Sequence, residues 1–123
     1  MKKILVADDE EYIRELVCTT IGLGSYEIFK AENGREALEK AREIKPDMLL
    51  LDVRMPEMTG FEVCKALKDD PETRNIYIII LSAFDLDEDK EKGKEVGAND
   101  YFVKPFSPIA LLDKVSEILD GHK

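Results

Sequence analysis

Met48-Leu49-Leu50-Leu51-Asp52, continued by Val53-Arg54-Met55-Pro56, is the stretch on which the reading of this chain turns. An apolar run with no polar alternation forms a strand covered on both faces, as in parallel sheets flanked by helices. The run ends on a carboxylate. Loops leave an open α/β sheet at its strand ends, where the following helices present their N-termini, so ligands and reacting groups gather at that edge. Asp52 is therefore the candidate reacting residue. An acid that merely stops a strand is the plainer alternative, and the rest of the chain decides between the two.

The 123 residues have the size of one domain, large enough to bury a core without metal or disulfide staples. One domain over 1–123 is expected, with no output domain. A hydrophobic fraction of 44% and a charged fraction of 37% suit a folded chain with a well-solvated surface. The net charge of -9 argues against binding a nucleic-acid backbone, which rests on clustered Lys and Arg, while clustered carboxylates would attract a divalent cation. Cys18 and Cys64 lack metal-type spacing and read as small helix residues in a reducing compartment. The early apolar run breaks at Asp8-Asp9, too short for a signal peptide or a membrane span. A cytoplasmic location without membrane contact is the expectation.

In chain order, Lys3 to Ala7 is a second apolar strand that finishes in acid, at Asp8-Asp9. From Glu10, Ile13, Leu16, Val17, Thr20 and Ile21 recur at helical spacing. Tyr26 to Ala31 is a short strand, and Asn33-Gly34 turns into a helix with Ala37, Leu38, Ala41 and Ile44 inward, stopped by Pro46. After Thr59-Gly60, Phe61, Cys64 and Leu67 mark a third helix, and Asn75 to Ser82 is a strand closing on a hydroxyl. Asp85 to Val96 is helical with a thin apolar face and Gly93 inside it, so it is expected to be the least stable helix. Asp100 to Lys104 is a fifth strand ending on a cation. Ser107 caps a last helix with Pro108 at its first position and Ile109, Leu112, Val115, Ile118 and Leu119 inward.

Strands alternating with helices in this way specify a three-layer α/β sandwich with a five-stranded parallel sheet and five flanking helices. All strand ends of one polarity then share an edge, so Asp8-Asp9, Asp52, Ser82 and Lys104 converge there. Carboxylates sharing a crevice repel unless a positive charge intervenes, and Mg²⁺ suits hard oxygen ligands. Beside such an ion Asp52 could act as an oxygen nucleophile toward a phosphoryl group, with Lys104 supplying charge and Ser82 a hydrogen bond.

Asp8-Asp9, Asp52 with Met55-Pro56 and Gly60, Ser82-Ala83, Gly97-Ala98 with Asp100-Tyr101, and Lys104-Pro105-Phe106 are the motifs, in order and spacing, by which the whole chain resembles the receiver domain of two-component response regulators. It is similar to stand-alone, chemotaxis-type receivers. The resemblance implies a flavodoxin-like sheet in the order 2-1-3-4-5. It further implies that Asp52 accepts phosphate from a sensor histidine kinase or a histidine phosphotransfer protein, and that a downstream protein effector reads the result. Asp9, Asp52 and the backbone carbonyl of Arg54 would bind Mg²⁺, with Asp8 acting through a ligand water. Lys104 would pair with the phosphoryl group, and Ser82 and Tyr101 would switch. Ile13, Leu16, Pro105 and Phe106 would meet the phosphodonor.

Arg54 and Phe84 depart from the smaller or polar groups common at those positions in such receivers. Both flank the route of attacking water, so slow dephosphorylation is expected. The chain is read as a phosphoacceptor with possible autophosphatase activity and not as an enzyme; whether it is a phosphorelay intermediate or a terminal effector stays open. The rivals are an Mg-dependent phosphatase of haloacid-dehalogenase type, where Arg54 stands in place of the second acid, and a flavodoxin-like cofactor binder, which two acids after the first strand oppose. His122 lies in the tail, so a phosphodonor histidine must come from another molecule.

Overall fold

The alternation of apolar runs and amphipathic stretches becomes five strands and five helices. The computed structural model describes residues 1–22, 25–82, 87–104 and 107–121. The elements are β1 (Lys2–Ala7), α1 (Glu11–Ile21), β2 (Tyr26–Ala31), α2 (Gly34–Ile44), β3 (Met48–Asp52), α3 (Gly60–Asp69), β4 (Tyr77–Ser82), α4 (Asp87–Glu95), β5 (Asp100–Val103) and α5 (Pro108–Asp120). The sheet is parallel throughout, in the order β2-β1-β3-β4-β5.

Pleat alternation sorts the central strands onto two cores. Leu5, Leu49, Leu51, Ile78 and Ile80 pack toward Ala37, Ala41, Phe61, Cys64 and Leu67 of α2 and α3. Ile4, Val6, Leu50, Ile79 and Leu81 pack toward Val17, Cys18, Ile21, Leu111 and Val115 of α1 and α5. β3 is buried along its whole length, as its uninterrupted apolar run requires. Each Leu fully buried there contributes about 1.5–3 kcal/mol of transfer free energy.

The helix starts follow local chemistry. Asn33 accepts from the Glu36 N–H, Thr59 and Glu62 form a reciprocal capping box, and Ser107 accepts from the Ala110 N–H ahead of Pro108. Two helical faces differ from the periodicity. Ile109, expected inward, is 58% exposed, because Leu111 and Val115 carry the buried stripe of α5. In α1 the buried residues are Val17, Thr20 and Ile21, as the spacing expects, together with Arg14 and Cys18, while Ile13 and Leu16 are half-buried. Among the described residues no helix is long and apolar enough to cross a membrane.

Candidate functional site

From β1 the chain moves to β2 on one side and later to β3 on the other, so the carboxyl ends of β1 and β3 flank the point where the winding reverses. That crevice is where ligands bind in open α/β sheets. Ala7 is in register with Leu51, which brings Asp8 level with Asp52 at the rim. Both continue the rows Ile4, Val6 and Met48, Leu50 that face α1 and α5. Lys104 continues the row of Phe102 on that same face. By the same alternation Ser82 and Tyr101 belong to the other face, diagonal to each other where Ile80 pairs with Tyr101.

At the rim Lys104 Nζ donates to Asp8 Oδ2 at 2.8 Å and lies 3.3 Å from Asp52 Oδ1 and 4.0 Å from Glu10 Oε1. Asp8 and Asp52 are buried, and Asp9 and Glu10 are exposed. Burial, followed by the charge of Asp8, pushes the Asp52 carboxyl up to about 7, against the opposing pull of Lys104. Burial by itself would lower the Lys104 ammonium; the hydrogen bond to Asp8 and the Asp52 charge outweigh it, and the net shift is upward.

Asp8 is fixed from several directions. Its N–H donates to the Ala31 carbonyl at 3.2 Å, its Oδ1 accepts from the Glu10 N–H at 3.0 Å, and its carbonyl accepts from Arg14 Nη1 at 2.8 Å. Asp52 is held by its own loop. The Val53 N–H donates to Leu81 O, and the Gly60 N–H returns to Val53 O. A Cβ on Gly60 would stand 2.2 Å from the Asp52 carbonyl oxygen, so only glycine lets α3 start this close to the end of β3. Between them, the Met58 N–H bonds to Pro56 O around Glu57, whose φ of 70 makes a tight γ-turn.

Carboxylate oxygens of Asp8, Asp9 and Glu10 lie within 4.8 Å of one another. A cleft of about 220 Å³ opens beside them, lined by Asp9, Glu10, Asp52, Arg54 and Lys104. This all-oxygen donor set at the cleft fits a hard divalent cation. Asp52 is not part of the carboxylate trio; Lys104 stands between it and Asp8.

Of the residues singled out from sequence, Asp8, Asp9, Asp52, Arg54 and Lys104 come together at this rim, with Ser82 buried at the end of β4 and Tyr101 half-buried against α4. Ile13 and Leu16 lie on α1. Phe84, Pro105 and Phe106 lie outside the described residues. Glu10, next to Asp8-Asp9, and Arg14, a charged residue on the buried stripe of α1, join the site without being among the residues that the sequence singles out. Tyr12, 76% exposed on the first turn of α1, was also missed.

A doubly wound parallel domain carrying a buried aspartate, a lysine and flanking acids at its switch point defines a class of α/β proteins built to handle a charged group there. The family model described as the response regulator receiver domain matches residues 4–116, and the chain belongs to that family. It is 44% identical over 118 residues to the alkaline phosphatase synthesis transcriptional regulatory protein PhoP of Bacillus subtilis, covering 96% of this chain and 48% of that protein. It is 36% identical to the polar-differentiation response regulator DivK of Brucella anthropi, covering 96% of each. The chain thus spans about half the length of PhoP and nearly all of DivK. The solved structure of chemotaxis response regulator CheY4 of Vibrio cholerae superposes with a TM-score of 0.89 at 40% identity, over 97% of this chain and 99% of that one.

Proposed function

We propose that Asp52 is the phosphoacceptor of a two-component pathway, taking its phosphoryl group from a phosphohistidine of a sensor histidine kinase or a histidine phosphotransfer protein. The observation that carries this reading is the buried Asp52 carboxylate, 3.3 Å from Lys104 Nζ and lining an open cleft. A carboxylate oxygen of Asp52 attacks phosphorus, the O–P bond forms as the P–N bond breaks, and the freed imidazole nitrogen takes a proton from solvent. Lys104 is placed to neutralise charge on the transferring group, and the Gly60 contact keeps the Asp52 backbone fixed during attack.

Asp8, Asp9, Asp52 and the backbone carbonyl of Arg54 would hold Mg²⁺, with Glu10 adding a further carboxylate. When bound, the ion supplies charge neutralisation for phosphoryl oxygens. Phosphorylation would draw Lys104 from Asp8 toward the new oxygens, and Ser82 and Tyr101, which share a face of β4 and β5, would carry the change to a protein effector.

The phosphodonor would dock where α1 and α5 begin. Both helices leave the carboxyl edge and pack on the same side of the sheet, and both present apolar groups there, Tyr12 and Ile109 exposed with Ile13 and Leu16 beside them. The chain acts as a phosphoacceptor in the cytoplasm, its own catalysis confined to hydrolysing its acyl phosphate.

Incubation with acetyl phosphate and MgCl₂ followed by intact mass tests this. A single phosphoryl adduct is expected, absent from Asp52→Asn and abolished by EDTA. An undiminished adduct in Asp52→Asn, or continuous turnover of unrelated phosphoesters, would overturn it.

A further inference from the structure

Among the described residues, three buried side chains carry charge-bearing groups: Asp8, Asp52 and Arg14. The phosphoacceptor reading uses the first two and leaves the arginine without a role. A guanidinium in an apolar stripe is costly to bury unless hydrogen-bonded and paired. Its ion pair is with Glu32, at 3.5 Å, but that carboxylate is 70% exposed, and a pair so solvated contributes little. The stronger contact is the 2.8 Å bond from Arg14 Nη1 to the carbonyl of Asp8.

That carbonyl sits where β1 gives way to the acidic turn. A peptide unit is planar, so fixing the Asp8 oxygen fixes the plane that also contains the nitrogen and Cα of Asp9. With the Asp8 N–H tied to Ala31, the backbone on both sides of Asp8 is set. The direction in which Asp9 leaves the chain is set with it. Arg14 is not among the residues lining the cleft, whereas Lys104 is. The guanidinium therefore works from behind the turn, without occupying the space a ligand needs.

We propose that Arg14 is a positioning residue of the cation and phosphoryl pocket: its guanidinium, donating to the Asp8 carbonyl, locks the Asp8–Asp9 peptide so that both carboxylates are presented to one ion. This rests on the phosphoacceptor reading. Geometry and charge have opposite signs here. A positive charge near the acids weakens cation binding, so a purely electrostatic arginine would give tighter binding on removal, and a positioning arginine gives weaker binding.

The test is calorimetric titration of MgCl₂ into the whole chain and into Arg14→Lys, Arg14→Gln and Glu32→Ala. Arg14→Lys keeps the charge and loses the planar fork. Both Arg14 variants are expected to raise the Mg²⁺ Kd at least about fivefold and Glu32→Ala less than about twofold, with the Arg14→Lys phosphorylation rate returning to within about twofold of the parent at saturating Mg²⁺. Unchanged or tighter binding in the Arg14 variants overturns the proposal, even if they melt earlier. So does failure of both to fold, which would assign Arg14 to stability alone. An unaltered chain that bound no Mg²⁺ would instead remove the phosphoacceptor reading on which the proposal stands.

Discussion

Lys104 Nζ stands 3.3 Å from Asp52 Oδ1 although β4 separates their strands. The reach is possible because the Lys104 N–H is tied to the Ser82 carbonyl at the end of β4, and because Phe102 and Lys104 share the pleat row that faces Asp52. One cation thus serves two buried acids.

Replacing that lysine leaves both acids without it. In Lys104→Met the Asp52 carboxyl should titrate above its already raised position of about 7, followed by carboxyl-carbon NMR in the absence of metal. Phosphorylation by acetyl phosphate should slow by on the order of 10²-fold, the usual consequence of removing one preorganised charge-stabilising donor. An Asp52 titration unmoved by the substitution would mean that the pair is not coupled.

Stability should depend on pH through Asp52. Its folded-state value is raised, so the folded protein holds this proton more tightly than the unfolded chain does. The stabilisation is full below about 4 and is lost as pH rises through about 7. Asp52→Asn, which cannot ionise, should therefore be more stable than the parent at pH 8 in EDTA, by on the order of 2 kcal/mol or roughly 5–10 °C in Tm. Most of the difference should be gone by pH 4.5, and added Mg²⁺ should stabilise the parent far more than the variant. Equal melting curves at pH 8 would contradict the burial of an ionised Asp52.

Two helix glycines should respond in opposite directions. Gly60→Ala forces a Cβ to 2.2 Å from the Asp52 carbonyl, which should cost about 1–3 kcal/mol in urea unfolding and slow phosphorylation as β3 shifts. At Gly93 the nearest atom to an added Cβ is Tyr101 Cδ2 at 3.5 Å, an ordinary contact, so Gly93→Ala should stabilise by up to about 1 kcal/mol through helix propensity. Hydrogen exchange in α4, expected to be the fastest among the helices of the parent, should slow in that variant. Exchange in α4 no faster than elsewhere would refute its weakness.

Arg54 lines the cleft beside Asp52 and is exposed. If it screens the acyl phosphate from water, Arg54→Ala should speed loss of phosphate several-fold, measured by phosphoprotein decay after removing acetyl phosphate. An unchanged decay rate would remove this role.

The fold was legible because its signals are binary: uninterrupted apolar strands ending in Asp8, Asp52 and Ser82, and helices opened by Asn33, Thr59 and Ser107. In a parallel sheet those endings must share an edge, so the rim followed without any contact being known. Periodicity counts apolar residues and cannot see a buried charge, and so it marks Ile13 and Leu16 on the face of α1 but not Arg14. Ile109 differs for a related reason: it lies in the first turn of α5 next to Pro108, and the buried positions of that helix are Leu111 and Val115.

The most direct measurement is chemical trapping of the phosphorylated residue. After phosphorylation with acetyl phosphate and Mg²⁺, borohydride reduces an aspartyl phosphate to homoserine, and peptide mass spectrometry locates it. The predicted result is homoserine at position 52 and nowhere else. Homoserine at position 8 or 9, or none in a chain that has taken up phosphate, would contradict the account.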